Sequence, residues 1–275
     1  MSHHAWMKAC IFCGKSAPEV KMTGEHVLRK ELANQVLWPV ERKRTESRVF
    51  PIPGVGFGFK SRDIPESILD QRLVEVCEPC NSGWMNRLEQ SAEQYLFPIL
   101  RGEEIEVNEA GARLLAAWAA KTAMVRARVD GEPYCVPEEH RRHMVASSSP
   151  PKNTMIWVHQ YGPSRPARTR HCKIGHRSTS PVIVRDDQGD EWVTGVAEEI
   201  ALGHITYLAI NHVIFFVAEA MTGDLLAEIE LSLAPTGAHC QIWPDPQAFK
   251  WPMETILSAE QADDIVDGFA TLPLK

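Results

Sequence analysis

Two Cys-x-x-Cys knuckles, Cys10 and Cys13 in "CIFC" and Cys77 and Cys80 in "CEPC", are the residues of this 275-residue chain whose spacing most directly specifies chemistry. Together they offer four thiolates, enough to complete a tetrahedral zinc shell without water, which specifies a closed structural site. An acid–histidine pair, Glu25 and His26, lies between the knuckles, and Asn81 directly follows the last cysteine. If both knuckles grip one zinc, Asn81 is drawn toward the segment bearing Glu25 and His26. A carboxylate and an amide oxygen suit a hard cation such as Mg2+ or Mn2+, and a neighbouring imidazole suits a base that activates water. Those are the parts that metal-assisted phosphodiester hydrolysis needs. Each residue also has an ordinary reading: Glu25 as a surface acid, His26 as a satisfied histidine at a strand–helix junction, and Asn81 as a helix N-cap. For the cysteines the alternative to zinc is a redox role of a single knuckle.

The order Cys-x-x-Cys, acid–His, Cys-x-x-Cys-Asn resembles the HNH (His-Me finger, ββα-metal) endonucleases, in particular the four-cysteine branch of phage recombination endonuclease VII. The resemblance covers about residues 8–92. It implies a zinc-stapled ββα-metal module of treble-clef type that hydrolyses DNA, with RNA as the alternative substrate, and leaves 5′-phosphate and 3′-hydroxyl ends. It further implies His26 as general base, Glu25 and Asn81 as holders of a catalytic Mg2+ or Mn2+, and the four cysteines as structural zinc ligands. The chain departs from the family pattern at three places: Glu25 stands where Asp is more usual, Arg72 where many members carry Asn, and Trp84 where some carry an acid. Asn86 and Glu89 are reserve candidates for the cation.

These residues must be positioned by a scaffold, and a content of 44% hydrophobic residues is ample for one sizeable core and a smaller module. The expected fold class is α+β, with a zinc-bearing nuclease domain over residues 1–103 and a helical, mainly antiparallel β domain over 104–275. Helical spacing is read over 24–38, from about Asn81 to 100, over 108–130, after Pro137 and after Ser258, which is a plausible N-cap. Strands are read before Cys77 and from Thr154 onward, including "LLAEIELSL" after a "TGD" turn. The segment 41–65 looks like an inserted loop or hairpin. Its Gly54, Gly56 and Gly58 lack the strand and the Gly-Lys-Ser/Thr that a phosphate loop requires. The most apolar stretch, 201–221, carries His204, Asn211, His212 and Glu219, so buried strands are favoured over a membrane span.

Charge is distributed unevenly. The net −7 divides into +1 over residues 1–100, +6 over 101–185 and −14 over 186–275, so a polyanion could approach only the first two-thirds. Arg42, Lys43 and Arg44, with Arg168, Arg170 and Lys173 of the basic "RPARTRHCKIGHR" segment, are the candidate nucleic-acid contacts. That segment, with His171 and His176, reads equally well as a solvated face, and His140 and His143 read as basic surface. No secretory leader is evident at the N-terminus, and seven cysteines in that setting point to reduced thiols and a cytoplasmic location. Cys135, Cys172 and Cys240 read as small buried hydrophobes. Two rivals to the enzyme stay open: a catalytically silent zinc-stabilised nucleic-acid-binding module, and a protein-interaction or sensory protein acting through its C-terminal domain. Self-association as a homodimer is also left open.

Overall fold

The first strand, β1 (Met22–His26), pairs antiparallel with β4 (Arg72–Cys77), and a helical segment leaves directly from Cys77. In the computed structural model the described residues are 9–36, 40–52, 56–131, 134–162, 167–185, 191–233 and 240–268. The helix expected over 24–38 shrinks to α1 (Lys30–Ala33). Residues 22–26 find a strand partner in β4 instead, and tertiary pairing overrides the local period. Val27, Leu28 and Leu32, which carried that period, are buried all the same. Residues 37–39 lie outside the described residues.

Between β1 and β4 run β2 (Arg44–Ile52) and β3 (Gly56–Ile64), an antiparallel hairpin as expected for 41–65. Gly56 and Gly58 are strand residues here, while Gly54 lies outside the described residues. After β4 come α2 (Glu78–Cys80), a π-helical turn (Asn81–Met85) and α3 (Asn86–Arg101). The helix thus begins three residues before Asn81, whose N-cap reading is replaced by a place inside the first turns. There follow β5 (Ile105–Val107), α4 (Glu109–Val129), α5 (Glu138–Ser147), β6 (Thr154–Tyr161), β7 (Arg168–Arg185), β8 (Glu191–Ile210) and β9 (Val213–Ala220). The chain continues with α6 (Gly223–Leu233), β10 (Cys240–Trp243), β11 (Phe249–Trp251), β12 (Ile256–Leu257) and α7 (Ala259–Gly268).

One eight-stranded sheet, ordered β10-β6-β9-β8-β7-β2-β3 with β12 beside β6, organises the molecule. Its pairings are antiparallel except β2–β7 and β12–β6. The protein is therefore mixed α+β with mostly antiparallel sheets. Along β9 the side chains alternate: Val213, Phe215 and Val217 join the core built on α3 and α4, whereas Ile214, Phe216 and Ala218 join the core with α6 and α7. Burial on both faces is why 201–221 reads as a continuous apolar run. No helix among the described residues is long and apolar enough to cross a membrane.

Two capping arrangements fix the starts of α4 and α7. Asn108 accepts from the Gly111 amide at 2.8 Å at the start of α4. At the start of α7, Gln261 N donates to Ser258 Oγ at 3.1 Å while Ser258 N donates to Gln261 Oε1 at 2.9 Å, a reciprocal capping box. One expectation fails outright: residues 225–233 form α6, not a strand. Leu225, Leu226 and Ile229 are buried, a helical spacing that outweighs the β-like alternation.

Candidate metal centre and acid–histidine site

The first knuckle is a tight loop closed by backbone hydrogen bonds, with Arg141 donating to the Ile11 carbonyl. Cys10 N donates to Lys15 O at 2.8 Å, Gly14 N donates to Cys10 O at 2.9 Å, and Ile11 N donates to Glu75 O of β4 at 2.9 Å. Gly14 turns the chain with φ of +76°, a left-handed conformation natural to glycine. The second knuckle straddles the strand–helix junction, with Cys77 ending β4 and Cys80 in the first helical turn. Phe12 meets Trp84 edge-on at 5.1 Å and so packs one knuckle loop against the helix after the other.

All four sulfurs lie within 4.8 Å of one another, and Cys13 Sγ is 3.5 Å from Cys77 Sγ. A tetrahedral zinc with Zn–S bonds of about 2.3 Å sets sulfurs about 3.8 Å apart, so the cluster fits a metal held by four thiolates. The acid–base chemistry agrees. The hydrogen bond with Cys80 pulls the Cys10 thiol down to about 4, burial pushes Cys77 up to about 11, and the bond to Cys10 pushes Cys80 up. Cys77 and Cys80 therefore need a divalent cation beside them to share the cluster as thiolates with Cys10. These four residues could hold a structural metal such as zinc. Cys135, Cys172 and Cys240 lie outside the cluster.

The knuckles set the position of Asn81 relative to β1. Asn81 Nδ2 donates to Thr23 Oγ1 at 3.2 Å and to Gly24 O at 3.4 Å, and Thr23 Oγ1 donates to Val76 O at 3.2 Å. With its amide nitrogen tied to the two residues before Glu25, Asn81 has Oδ1 left as its acceptor. The π turn makes this reach: Gly83, at φ −90° and ψ −109°, breaks the regular helix right after Asn81. His26 pairs in register with Arg72 across the two strands. The Arg72 side chain lies over Gly24, where a Cβ would sit 1.8 Å from its Nε.

Glu25 is turned inward, not to the surface. It is 5% exposed, and its Oε1 accepts from Lys121 Nζ at 3.3 Å. Lys121, wholly buried in the middle of α4, also donates to Glu89 Oε1 at 2.6 Å. Arg29 extends the network, 3.7 Å from Glu89 Oε2 and 3.1 Å from Glu93 Oε1. Burial raises the Glu25 carboxyl above its ordinary range, against the pull of Lys121. Burial also pulls on Lys121, but Glu89 and Glu25 more than offset it and hold the ammonium above its ordinary value. Sequence reasoning missed Lys121. Its signal was a lone lysine inside "LLAAWAAKTAMV", since a lysine walled in by apolar residues on a helix must have a carboxylate partner. Glu89, held in reserve at the sequence level, joins Glu25 through that lysine.

The six candidate nucleic-acid contacts separate. Arg42 and Lys43 are exposed, with Lys43 bonded to Asp63 at 2.6 Å. Arg44 is buried among Glu66 at 2.6 Å, Glu46 at 2.7 Å and Asp130. Arg168 takes both oxygens of Asp263 at 2.7 and 2.8 Å, Arg170 reaches the same carboxylate at 3.2 Å, and Lys173 donates to the carbonyls of Asp130 and Gly131 at 3.2 and 2.8 Å. Arg44, Arg168, Arg170 and Lys173 thus direct their charge into the protein, and His171 is buried rather than solvated. His140 also departs from its basic-surface reading: it is buried, with Nδ1 2.7 Å from Glu219 Oε1. The cause is β9, which brings Glu219 under α5.

Asp130 makes a pH prediction. Burial pushes its carboxyl from 3.8 up to about 6, against the pull of Arg126 and Arg44. Between those values the folded protein holds a proton that the unfolded chain has released, so stability falls as pH rises through this window, by at most about 1.4 kcal/mol per pH unit. Asp130→Asn should flatten that fall in denaturant titrations across the window; parallel curves for the two proteins would refute the assignment.

Compared with known proteins, the chain matches no family model, no curated protein and no solved structure.

Proposed function

We propose that the protein is an HNH-type endonuclease that hydrolyses DNA phosphodiester bonds with Mg2+ or Mn2+. The observation that carries this reading is the docking of Asn81 on Thr23 and Gly24, the two residues that precede Glu25 and His26 on β1, beside a four-cysteine cluster. In this reading a zinc on Cys10, Cys13, Cys77 and Cys80 is structural and supplies no step. His26 takes a proton from the attacking water. Asn81 Oδ1 and the Glu25 oxygen not used by Lys121 would hold the catalytic cation, which when bound supplies Lewis-acid stabilisation of the scissile phosphate. Arg72, beside His26 in the strand pair, is suited to orient that phosphate.

The test is cleavage of DNA by the purified chain beside His26→Ala. Because general-base catalysis contributes roughly 10²–10⁴-fold, the variant should lose most cleavage while keeping its zinc and its fold. Glu25→Ala and Asn81→Ala should instead regain part of their activity at raised magnesium or manganese. Equal cleavage by wild type and His26→Ala would return the pair to a structural role.

A second reading, a zinc-stabilised nucleic-acid-binding module without catalysis, is favoured by one observation: Lys121 already presents a positive charge to Glu25. In that case no variant shows divalent-dependent cleavage, and DNA retention depends on Lys and Arg and falls steeply with salt.

A further inference from the structure

We infer that residues 134–141 form a strut between the large sheet and the four-cysteine centre, through which the buried charge of Glu219 sets how firmly that centre keeps its metal. The inference rests on the cluster as a metal centre and is independent of the endonuclease reading. Two residues of the strut are bonded to the sheet: Cys135 Sγ lies 3.6 Å from His171 Nε2 of β7, and His140 Nδ1 lies 2.7 Å from Glu219 Oε1 of β9. The residues just outside that pair, Tyr134 and Arg141, meet each other, with the guanidinium 4.9 Å from the ring centroid. Arg141 then donates to the carbonyl of Ile11, inside the first knuckle.

At the sheet end the strut meets a chain of buried polar groups on three adjacent strands. His171 on β7 is in register with Thr206 on β8, and His204 on β8 with Glu219 on β9. One order of donors satisfies the whole chain. Cys135 Sγ donates to His171 Nε2, His171 Nδ1 donates to Thr206 Oγ1 at 2.7 Å, and Thr206 Oγ1 donates to His204 Nδ1 at 3.1 Å. His204 Nε2 then faces Glu219 Oε2 at 3.5 Å, while His140 donates to the other oxygen. Burial disfavours the Glu219 carboxylate, but His140 and His204 more than offset it and hold the carboxyl below its ordinary range. Burial also pushes the Cys135 thiol up and His171 well down, so that end of the chain is neutral. The bond from His140 therefore goes to an ionised acceptor, about twice as strong as a bond between neutral groups, and it seats the first turn of α5.

At the other end, Ile11 lies between Cys10 and Cys13. Its amide donates to Glu75 O at 2.9 Å, the Glu75 carboxylate accepts from Arg128 Nε at 2.7 Å, and Arg128 stands 5.3 Å from the Tyr134 ring centroid. Arg141 shares that ring and returns to the Ile11 carbonyl, which closes a loop of contacts around the knuckle. Arg141 is thus a positioning residue: it acts through the backbone that carries two of the four sulfurs. His140 and Arg141 are consecutive on one helical turn, so a shift of one carries the other. Groups that hold metal ligands from behind typically change metal affinity by about 10- to 100-fold when they are removed.

The test is the rate at which the zinc-loaded full chain gives up its metal to a chromogenic chelator, beside amide exchange at Ile11 and Gly14. Arg141→Ala should release zinc roughly tenfold faster, and Arg141→Lys, which keeps a donor, should recover part of that. Glu219→Gln keeps the shape and an acceptor for His140 but removes the charge; it should speed release several-fold and raise exchange at Ile11. The double variant should release zinc no faster than Arg141→Ala alone, because the charge acts through that arginine, whereas a generally weakened core would add the two effects. Arg142→Ala, exposed on the same helix, should match wild type in both readouts. If Glu219→Gln does not fold, His140→Gln makes the same comparison. Unchanged release and exchange in the Glu219 variant, additive effects in the double variant, or an Arg142 variant as fast as Arg141→Ala would each overturn the strut. If the chain takes up no zinc, exchange at Ile11 and Gly14 decides by the same comparisons. Neither readout involves DNA, so the nuclease reading can fail while the strut stands.

Discussion

Removing the metal from Cys10, Cys13, Cys77 and Cys80 should melt the segment that carries the acid–histidine pair, with a loss on the order of 10 kcal/mol of local stability. The knuckle loop over residues 9–21 has almost no regular structure, and it is held to the rest by a handful of backbone hydrogen bonds, the Arg141 bond to the Ile11 carbonyl, the buried Ile11 and Phe12, and the sulfur cluster. Without a cation Cys77 and Cys80 are pushed toward the protonated thiol, so the cluster turns from a staple into a set of buried polar groups. Elemental analysis of the purified chain should find one zinc per molecule, and Cys80→Ser should lose it. Chelation should then abolish amide-exchange protection at Ile11 and Glu78, whose amides bond to Glu75 and Lys21, while β6 and β9 stay protected. Cys135→Ala, a buried cysteine outside the cluster, should bind zinc as wild type does. A chain that carries no zinc, or whose exchange pattern is indifferent to chelator, contradicts this account.

The parts of the molecule that could be read from sequence are those specified by short-range spacing. The two knuckles announce four converging sulfurs because a Cys-x-x-Cys turn has few geometries. α4 announces itself through the helical spacing of its apolar residues and α7 through Ser258, because capping chemistry is completed within three residues. What could not be read depends on partners far away in the chain. Neither reading of Glu25, cation ligand or surface acid, included Lys121, because that partner is 96 residues distant. Arg44 looked like a phosphate contact because Asp130, 86 residues on, was not in view, and His140 looked solvated because Glu219 is 79 residues on. Strand β1 was misread as helix for the same reason: its register is dictated by β4, across the β2–β3 insertion. α6 differs, since its alternation of apolar residues fitted a strand and a helix alike, and only the core beneath β9 decides between them.

Lys121→Met should cost roughly 3–5 kcal/mol, among the largest effects of any single substitution in this protein. The side chain is fully buried, and methionine keeps the volume, so packing changes little while the charge is lost. Two buried carboxylates, Glu25 and Glu89, then face each other without the ammonium that bonds to both. At a few degrees per kcal/mol the melting temperature should drop by roughly 10 °C. Adding Glu25→Gln and Glu89→Gln to Lys121→Met should restore most of the loss, because the neutral amides no longer need a cation. The same variant probes the acid–histidine site. Counting only these three side chains, the local charge goes from −1 to −2 when Lys121 becomes neutral, so a divalent cation at Glu25 meets one positive charge fewer. Magnesium or manganese should therefore raise the melting temperature of Lys121→Met by more than that of wild type, since a ligand stabilises in proportion to its affinity for the folded state. Equal shifts in the two proteins would mean that Lys121 does not compete with a cation at Glu25. A variant as stable as wild type would mean that the ammonium does not hold the two carboxylates together.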